Sequence, residues 1–366
     1  MANHSLGRPL DQTRLDVDAG LSLWYRDMDE AWDAWMTETT SWRAGITDLL
    51  GLHQPDAVVP RASCGQALRA VLNSFPADRP VRVVTTDVEF DSIDFVLRSY
   101  HEAGRAEVRF VTSGTRDGAP WVDAGALAEA VTPETDLAVV SAVVFMTGQI
   151  VQELDELVRA CHSKGAKVMV DAYHAVGVLP FSLGESDFAM GGSYKYLRGG
   201  PGCCWLAVHP RHLGADGPKT VDTGWFAKED TFGYGRPDST HRKAGGDAWL
   251  ESTPAVLPFY QARAGLAFAR AVGVERLRPY GLGLSRRIRG GFLAAGLPVL
   301  GNDGADQFGA FVCVGHPSAA QASARLKELG VNTDARGFFV RFGPDLLTTD
   351  EEIQLAVQAA QQVWGK

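Results

Sequence analysis

Lysine is scarce in this chain: 8 lysines stand among 366 residues, although Lys and Arg together number 35. Positive charge is in deficit as well, since 44 acidic residues leave a formal net charge of −9. No basic stripe offsets that balance, and nucleic acid is excluded as the main partner because phosphate binding needs clustered positive charge. No stretch approaches the roughly 20 apolar residues that cross a bilayer. The opening "MANHSLGRPLDQTRLDVDAG" has no basic flank followed by an apolar segment, so the expected location is cytoplasmic. Five cysteines, with Cys203 and Cys204 adjacent, make neither an even-numbered disulfide framework nor a C-x-x-C pair. Nine histidines show no H-E-x-x-H spacing, and no metal is expected.

What is present is a hydrophobic fraction of 45%, enough for a sizeable core divided between one large and one smaller domain. Residues 1–52 read as an N-terminal helical arm carrying Trp24, Trp32, Trp35 and Trp42 at near-helical spacing, residues whose ordinary fate is core or interface packing. Residues 53–258 read as the large domain. There short β-branched runs, "VRVVTT", "AEVRFVT", "LAVVSAVV", "KVMVDA", "FAMGGS" and "CCWLAVH", alternate with helices such as "ELDELVRACHSKG". That order predicts an α/β fold whose mostly parallel sheet is covered by helices on both faces. A Gly-, Asp- and charge-rich stretch at about 214–247 is too long for an ordinary connection and is expected to be a site or interface loop. Residues 259–366, opened by a long helix, read as a smaller α+β domain.

Two segments carry chemistry. "KVMVDAYHAVG" is an apolar strand that ends on Asp171, with His174 three residues on. Ligands of open α/β sheets bind beyond the carboxyl ends of the strands, so an acid there is placed for function, although it could also cap the next turn. "GGSYKYLRGGPG" brings Tyr194 and Lys195 to the same edge. A lysine is ordinarily solvated, but the apolar flank and the glycines predict a partly desolvated amine, able to act as a Schiff-base nucleophile. An acid and a lysine on adjacent strand ends are the pair that pyridoxal 5'-phosphate requires: the acid keeps the ring nitrogen protonated and the lysine forms an imine with the aldehyde.

The run "DAYHAVG…SYKYLRGGPG" resembles the kynureninase branch of the fold type I, class V aminotransferase-like enzymes, whose motif is D-x-x-H followed by S-Y-K-Y-L and glycine-proline-glycine. The resemblance implies the fold type I architecture, pyridoxal phosphate, an amino-acid substrate, and a homodimer with shared active sites. By the same resemblance, "RASCGQALRAVL" places Ser63 and Cys64 at a helix start that holds the cofactor phosphate, where free N–H groups suit an anion. "EFDSIDFVL" makes Phe90 the aromatic residue stacked on the pyridine ring, although the proline and aspartate that follow in the family are Asp91 and Ile93 here. "SAVVFMTGQ" makes Ser141 a cofactor contact, "TGW" places Trp225 near the phosphate, and in "STPAV" Thr253 takes the place of an asparagine. "ARGFFVRFG" makes Arg341 the residue that grips the substrate α-carboxylate, its planar fork suiting bidentate pairing.

For a kynureninase-like enzyme, the resemblance implies that Lys195 moves the Cα proton, Asp171 keeps the ring electron-withdrawing, and Cβ–Cγ hydrolysis gives an aryl acid and alanine. The family's early L-D-G-N-S-L-G stretch corresponds to a degenerate "LDVDAG", and where relatives carry a ring-contacting histidine ahead of a tryptophan in the arm this chain has Trp35 ahead of Trp42. These departures leave other reactions open: β-elimination, desulfuration, transamination, or cofactor binding without catalysis. Desulfuration needs a mobile cysteine, whereas Cys313 in "FGAFVCVGH" reads as a buried strand residue.

Overall fold

In the computed structural model, which describes residues 1–301 and 305–365, the apolar runs pair into one seven-stranded sheet. Its strands are β1 (Val58–Arg61), β2 (Val81–Thr86), β3 (Ala106–Val111), β6 (Leu137–Ser141), β7 (Lys167–Asp171), β8 (Phe188–Gly192) and β9 (Cys204–Val208), in the order β1-β9-β8-β7-β6-β2-β3. From β3 to β8 neighbours are parallel; β9 runs antiparallel to β8, and β1 antiparallel to β9. The reversal at β9 follows from the short connection after β8, since a parallel return needs a crossover of a dozen or more residues. β1 was invisible in the sequence because it has four residues and contains Pro60, a residue that sheets accept at an edge. The hairpin of β4 (Gly114–Arg116) and β5 (Ala119–Trp121) was also missed, although its Asp117-Gly118 turn, with φ of 51° and 75°, carries a strong hairpin signal.

Helices α3 (Cys64–Leu72), α4 (Asp91–Glu102), α5 (Ala124–Ala130) and α6 (Leu154–Ser163) connect the strands. Alternation along β6 explains why both sheet faces need cover: Leu137 and Val139 enter one core with Val83 and Met169, while Ala138 and Val140 enter the other with Val84 and Val170. The arm consists of α1 (Asp11–Asp27) and α2 (Ala31–Leu49), which lie against α7 (Leu257–Val272). Phe259, Ala262, Leu266 and Ala269 of α7 belong to the large core. The small core begins on α8 (Val274–Ala294) with Leu284, Ile288 and Phe292. It is completed by α9 (Ala319–Glu328), the sheet of β10 (Val312–Gly315), β12 (Phe339–Phe342) and β11 (Asp334–Arg336), and α10 (Asp350–Trp364). A capping box starts α10: Thr349 Oγ1 accepts the Glu352 N–H at 3.3 Å and Glu352 accepts the Thr349 N–H at 2.9 Å. No helix among the described residues is long and apolar enough to cross a membrane.

Candidate active site

Strand register sets the site. Ser141 on β6 pairs with Asp171 on β7, and Asp171 with Met190 on β8, so the three strands end at one level. Tyr194 and Lys195 follow β8 immediately. Thr86 ends β2 and Glu89 and Phe90 follow it on the same edge, and Arg61, just before Ser63 and Cys64, flanks Cys204 together with Gly192 in the adjoining row.

Lys195 is 5% exposed and its Nζ lies 2.6 Å from His174 Nε2. Phe90, Tyr173 and Tyr194 surround the amine, with ring centroids at 5.5, 4.8 and 5.7 Å. Burial lowers the lysine pKa to about 8, against the opposing pull of Asp171. Burial also drives His174 well below the ordinary imidazole range, helped by Lys195 and Arg341. The neutral imidazole accepts from Lys195 at Nε2 and donates from Nδ1 to the Tyr196 hydroxyl at 3.3 Å, a tautomer set by the network. Asp171 is buried, accepts the Tyr173 N–H at 2.8 Å, and has its pKa raised by burial to about 6, so it is ionised at neutral pH.

Ser141 contacts an acid that the sequence reading had missed. Its hydroxyl donates to Glu89 Oε2 at 2.5 Å, while Thr86 Oγ1 donates to Oε1 at 2.8 Å. Burial raises Glu89 to about 7 despite these donors. Glu89 adjoins Phe90 in the sequence, and its place between an apolar strand and that aromatic was the available signal. Ser63 is the N-cap of α3, its Oγ accepting the Gln66 N–H at 3.2 Å. Cys64 opens that helix, and its proximity holds the Cys204 thiol pKa down.

Arg341, on β12, is 3% exposed. Its Nε and Nη2 donate to the two oxygens of Asp334 at 2.7 and 2.5 Å, and Nη1 donates to the Phe145 carbonyl. The predicted carboxylate grip therefore already holds an internal carboxylate through one side of its fork.

Three expectations need correction. "LDVDAG" lies within α1, where Gly20 packs against Tyr260, because its periodicity is helical. The segment that reaches the site is Asn3–Gly7, "NHSLG", whose S-L-G was the overlooked signal. Trp35 is buried in the arm, its Nε1 donating to Gly20 O at 3.0 Å and its ring 5.3 Å from Trp32, away from the Lys195 cluster. The "GGPG" glycines, expected to flank the amine, turn the chain against α7: Gly200 and Gly202 have φ of 65° and 92°, and Gln261 donates to Gly199 O at 2.5 Å. Trp225 and Thr253 are joined by a 3.1 Å hydrogen bond from Nε1 to Oγ1, in a separate aromatic cluster with Phe226, Phe232 and Tyr234. An apolar groove of about 690 Å³ beside that cluster is lined by Trp24, Met28, Trp32 and Trp35. Its size does not make it the active site; the buried titratable groups are at Lys195.

The aminotransferase class-V family model matches residues 22–331. The chain belongs to the class-V aminotransferase family, in its kynureninase-like branch. It is 30% identical to a kynureninase of Salinispora tropica over 371 residues, covering 94% of this chain and 85% of the relative. A kynureninase of Geobacillus thermodenitrificans is 27% identical, with 90% and 81% covered. The fold is similar to that of the cystine C-S lyase C-DES in complex with cysteine persulfide: TM-score 0.85, 19% identity, 98% of this chain and 96% of that one covered. Pyridoxal phosphate is the cofactor of this family, and the donor set fits it. An amine whose pKa burial lowers to about 8, an ionised acid on the next strand, aromatic faces about the amine and the start of α3 share one edge. This chain is a pyridoxal-phosphate-dependent enzyme of amino-acid metabolism.

Proposed function

We propose that the enzyme hydrolyses the Cβ–Cγ bond of kynurenine or a close analogue, giving an anthranilate-type acid and alanine. The observation that carries this reading is the Asp171, His174, Tyr194, Lys195 constellation, with buried Arg341 close enough to bear on the charge of His174 and Lys195, on a chain alike over nearly its whole length to kynureninases. Pyridoxal phosphate supplies the electron sink when bound. Asp171 would face its ring nitrogen, Phe90 its ring, Ser141 and His174 its edge, and Ser63 and Cys64 its phosphate. Lys195 gives up its place to the substrate amine and then carries the proton at the substrate Cα. An amine with a pKa of about 8 is suited to both tasks, since it takes and returns protons near neutral pH. Arg341 orients the substrate through its α-carboxylate, and burial excludes water competing for that charge. Tyr194, whose pKa is raised by burial, keeps its proton and can donate to a developing oxyanion. In this reading a second copy of the chain brings Trp225 to the cofactor phosphate and Thr253 to the substrate ring.

Desulfuration is disfavoured by Cys313: it is 2% exposed, hydrogen-bonded to Thr147 O at 3.4 Å, and its thiol is pushed up to about 12 by burial. The test is a product assay with L-kynurenine, 3-hydroxy-L-kynurenine and L-cystine on the cofactor-loaded protein. Alanine with the matching anthranilate, absent in Lys195→Ala, is the expected result. Pyruvate from cystine with no alanine from either kynurenine would replace hydrolysis with elimination, and amino transfer to an added oxo acid would replace it with transamination.

A further inference from the structure

Residues 1–8 form a strap that ties the small sheet to the lysine. At one end Gly343 donates to Met1 O at 2.7 Å and accepts the Asn3 N–H at 3.1 Å. At the other end Gly7 donates to Tyr194 O at 2.8 Å, and Arg198 Nη1 donates to Arg8 O at 3.1 Å. A Cβ at Gly7 would collide with the Lys195 carbonyl oxygen, so this approach requires glycine. Between these anchors His4 is wholly buried, its ring 4.8 Å from Phe311, which in turn lies 5.6 Å from His174.

His4 Nε2 donates to Asp334 Oδ1 at 2.8 Å, and the Ser5 hydroxyl donates to Oδ2. Together with Nε and Nη2 of Arg341 these make four donors on one carboxylate, which has about four lone-pair sites. Asp334 is thus saturated by protein and its rotation is fixed. A guanidinium has five N–H bonds; two go to Asp334 and one to Phe145 O, which leaves two for a substrate. Where those two point depends on the plane in which Asp334 holds Arg341. Burial keeps His4 neutral, its pKa lowered to about 4, so it donates without adding a positive charge that would compete for the substrate carboxylate.

We infer that His4 is a positioning residue for the substrate α-carboxylate, acting through Asp334 to fix the guanidinium plane of Arg341. The inference rests on the reading of Arg341 as the carboxylate holder and needs no particular reaction. It is tested on the cofactor-loaded protein by titrating the cofactor absorbance with L-alanine and with ethylamine, which lacks the carboxylate. His4→Ala and His4→Phe should raise the half-saturating L-alanine concentration about tenfold, the scale of a hydrogen bond to a charged group. Ethylamine should move less than about twofold, and His4→Gln, which keeps an N–H donor, should restore most of the alanine response. Should His4→Ala fail to fold, Ser5→Ala removes the other donor to Asp334 and should raise the alanine value about threefold on the same scale. Unchanged alanine binding in folded variants, equal weakening for both amines, or no preference for alanine over ethylamine in the unmodified protein would each overturn the inference. Failure of kynurenine hydrolysis with alanine discrimination intact would remove the proposed reaction and leave this inference standing.

Discussion

Lys195 and Trp225 both sit among aromatic rings, yet their surroundings are opposite in closure. Lys195 is paired with His174 within the chain and its amine is nearly inaccessible. Around Trp225 the rings stay open: Phe232 is 63% and Tyr234 72% exposed, and the neighbouring groove is lined by apolar side chains. A contiguous apolar patch of this kind marks an interaction surface more often than a monomer's free surface. The contrast teaches that one chain by itself gathers the Lys195 cluster, whereas Trp225 and Thr253 are folded together apart from it; in the proposed reading a second copy supplies them.

The largest effect should come from breaking the closed side. Lys195→Ala is expected to lose about 10⁴-fold in turnover and to release its cofactor on gel filtration, because nucleophile and proton carrier vanish together. Retained turnover would place the chemistry on another residue. Next, Trp225→Ala or Thr253→Ala should lower turnover about 10- to 100-fold while leaving the cofactor spectrum intact. Mixed with inactive Lys195→Ala chains, either variant should recover up to about a quarter of unmodified activity, since half of randomly formed dimers carry one intact site of two. No recovery, with mixed dimers confirmed by mass, would remove the shared-site reading.

A pH experiment sharpens the electrostatic side. Lys195 titrates at about 8, so capture of pyridoxal phosphate by the apoprotein should rise about tenfold per pH unit below that value and level off above it, the neutral amine being the nucleophile. Asp171 favours the ammonium form, so Asp171→Asn should move the levelling point to lower pH; a shift to higher pH would contradict the assigned geometry. The smallest effect is expected at the open edge. Tyr234→Ser should change the unfolding free energy by no more than about 0.5 kcal/mol, as an exposed substitution does, yet weaken self-association in sedimentation equilibrium. Unaltered association would take the loop tip out of the interface.

Local signals made much of this readable in advance. The β-branched runs became β2, β3, β6, β7, β8 and β9, because period and residue type are properties of short segments. Asp171, His174, Tyr194 and Lys195 were legible because they follow strand ends closely, and a parallel sheet brings consecutive strand ends to one edge. The misplaced "LDVDAG" shows the limit: a six-residue likeness outweighed "NHSLG" because nothing local says that residues 3–7 lie beside Lys195. Glu89, Tyr173 and Asp334 escaped for the same reason, each being defined by neighbours distant in the chain or by burial.

The sequence by itself determined the strands, the helices and the acid and lysine at one edge, because those depend on residue type over a few positions. Tertiary structure alone decided that Arg341 is held by Asp334, which His4 bonds in turn, and that Trp35, Trp225 and Thr253 stand apart from Lys195. Burial, and hydrogen bonds such as that of His4 to Asp334 across 330 positions, exist only once the chain has closed on itself, and they carry no pattern that a linear reading can detect.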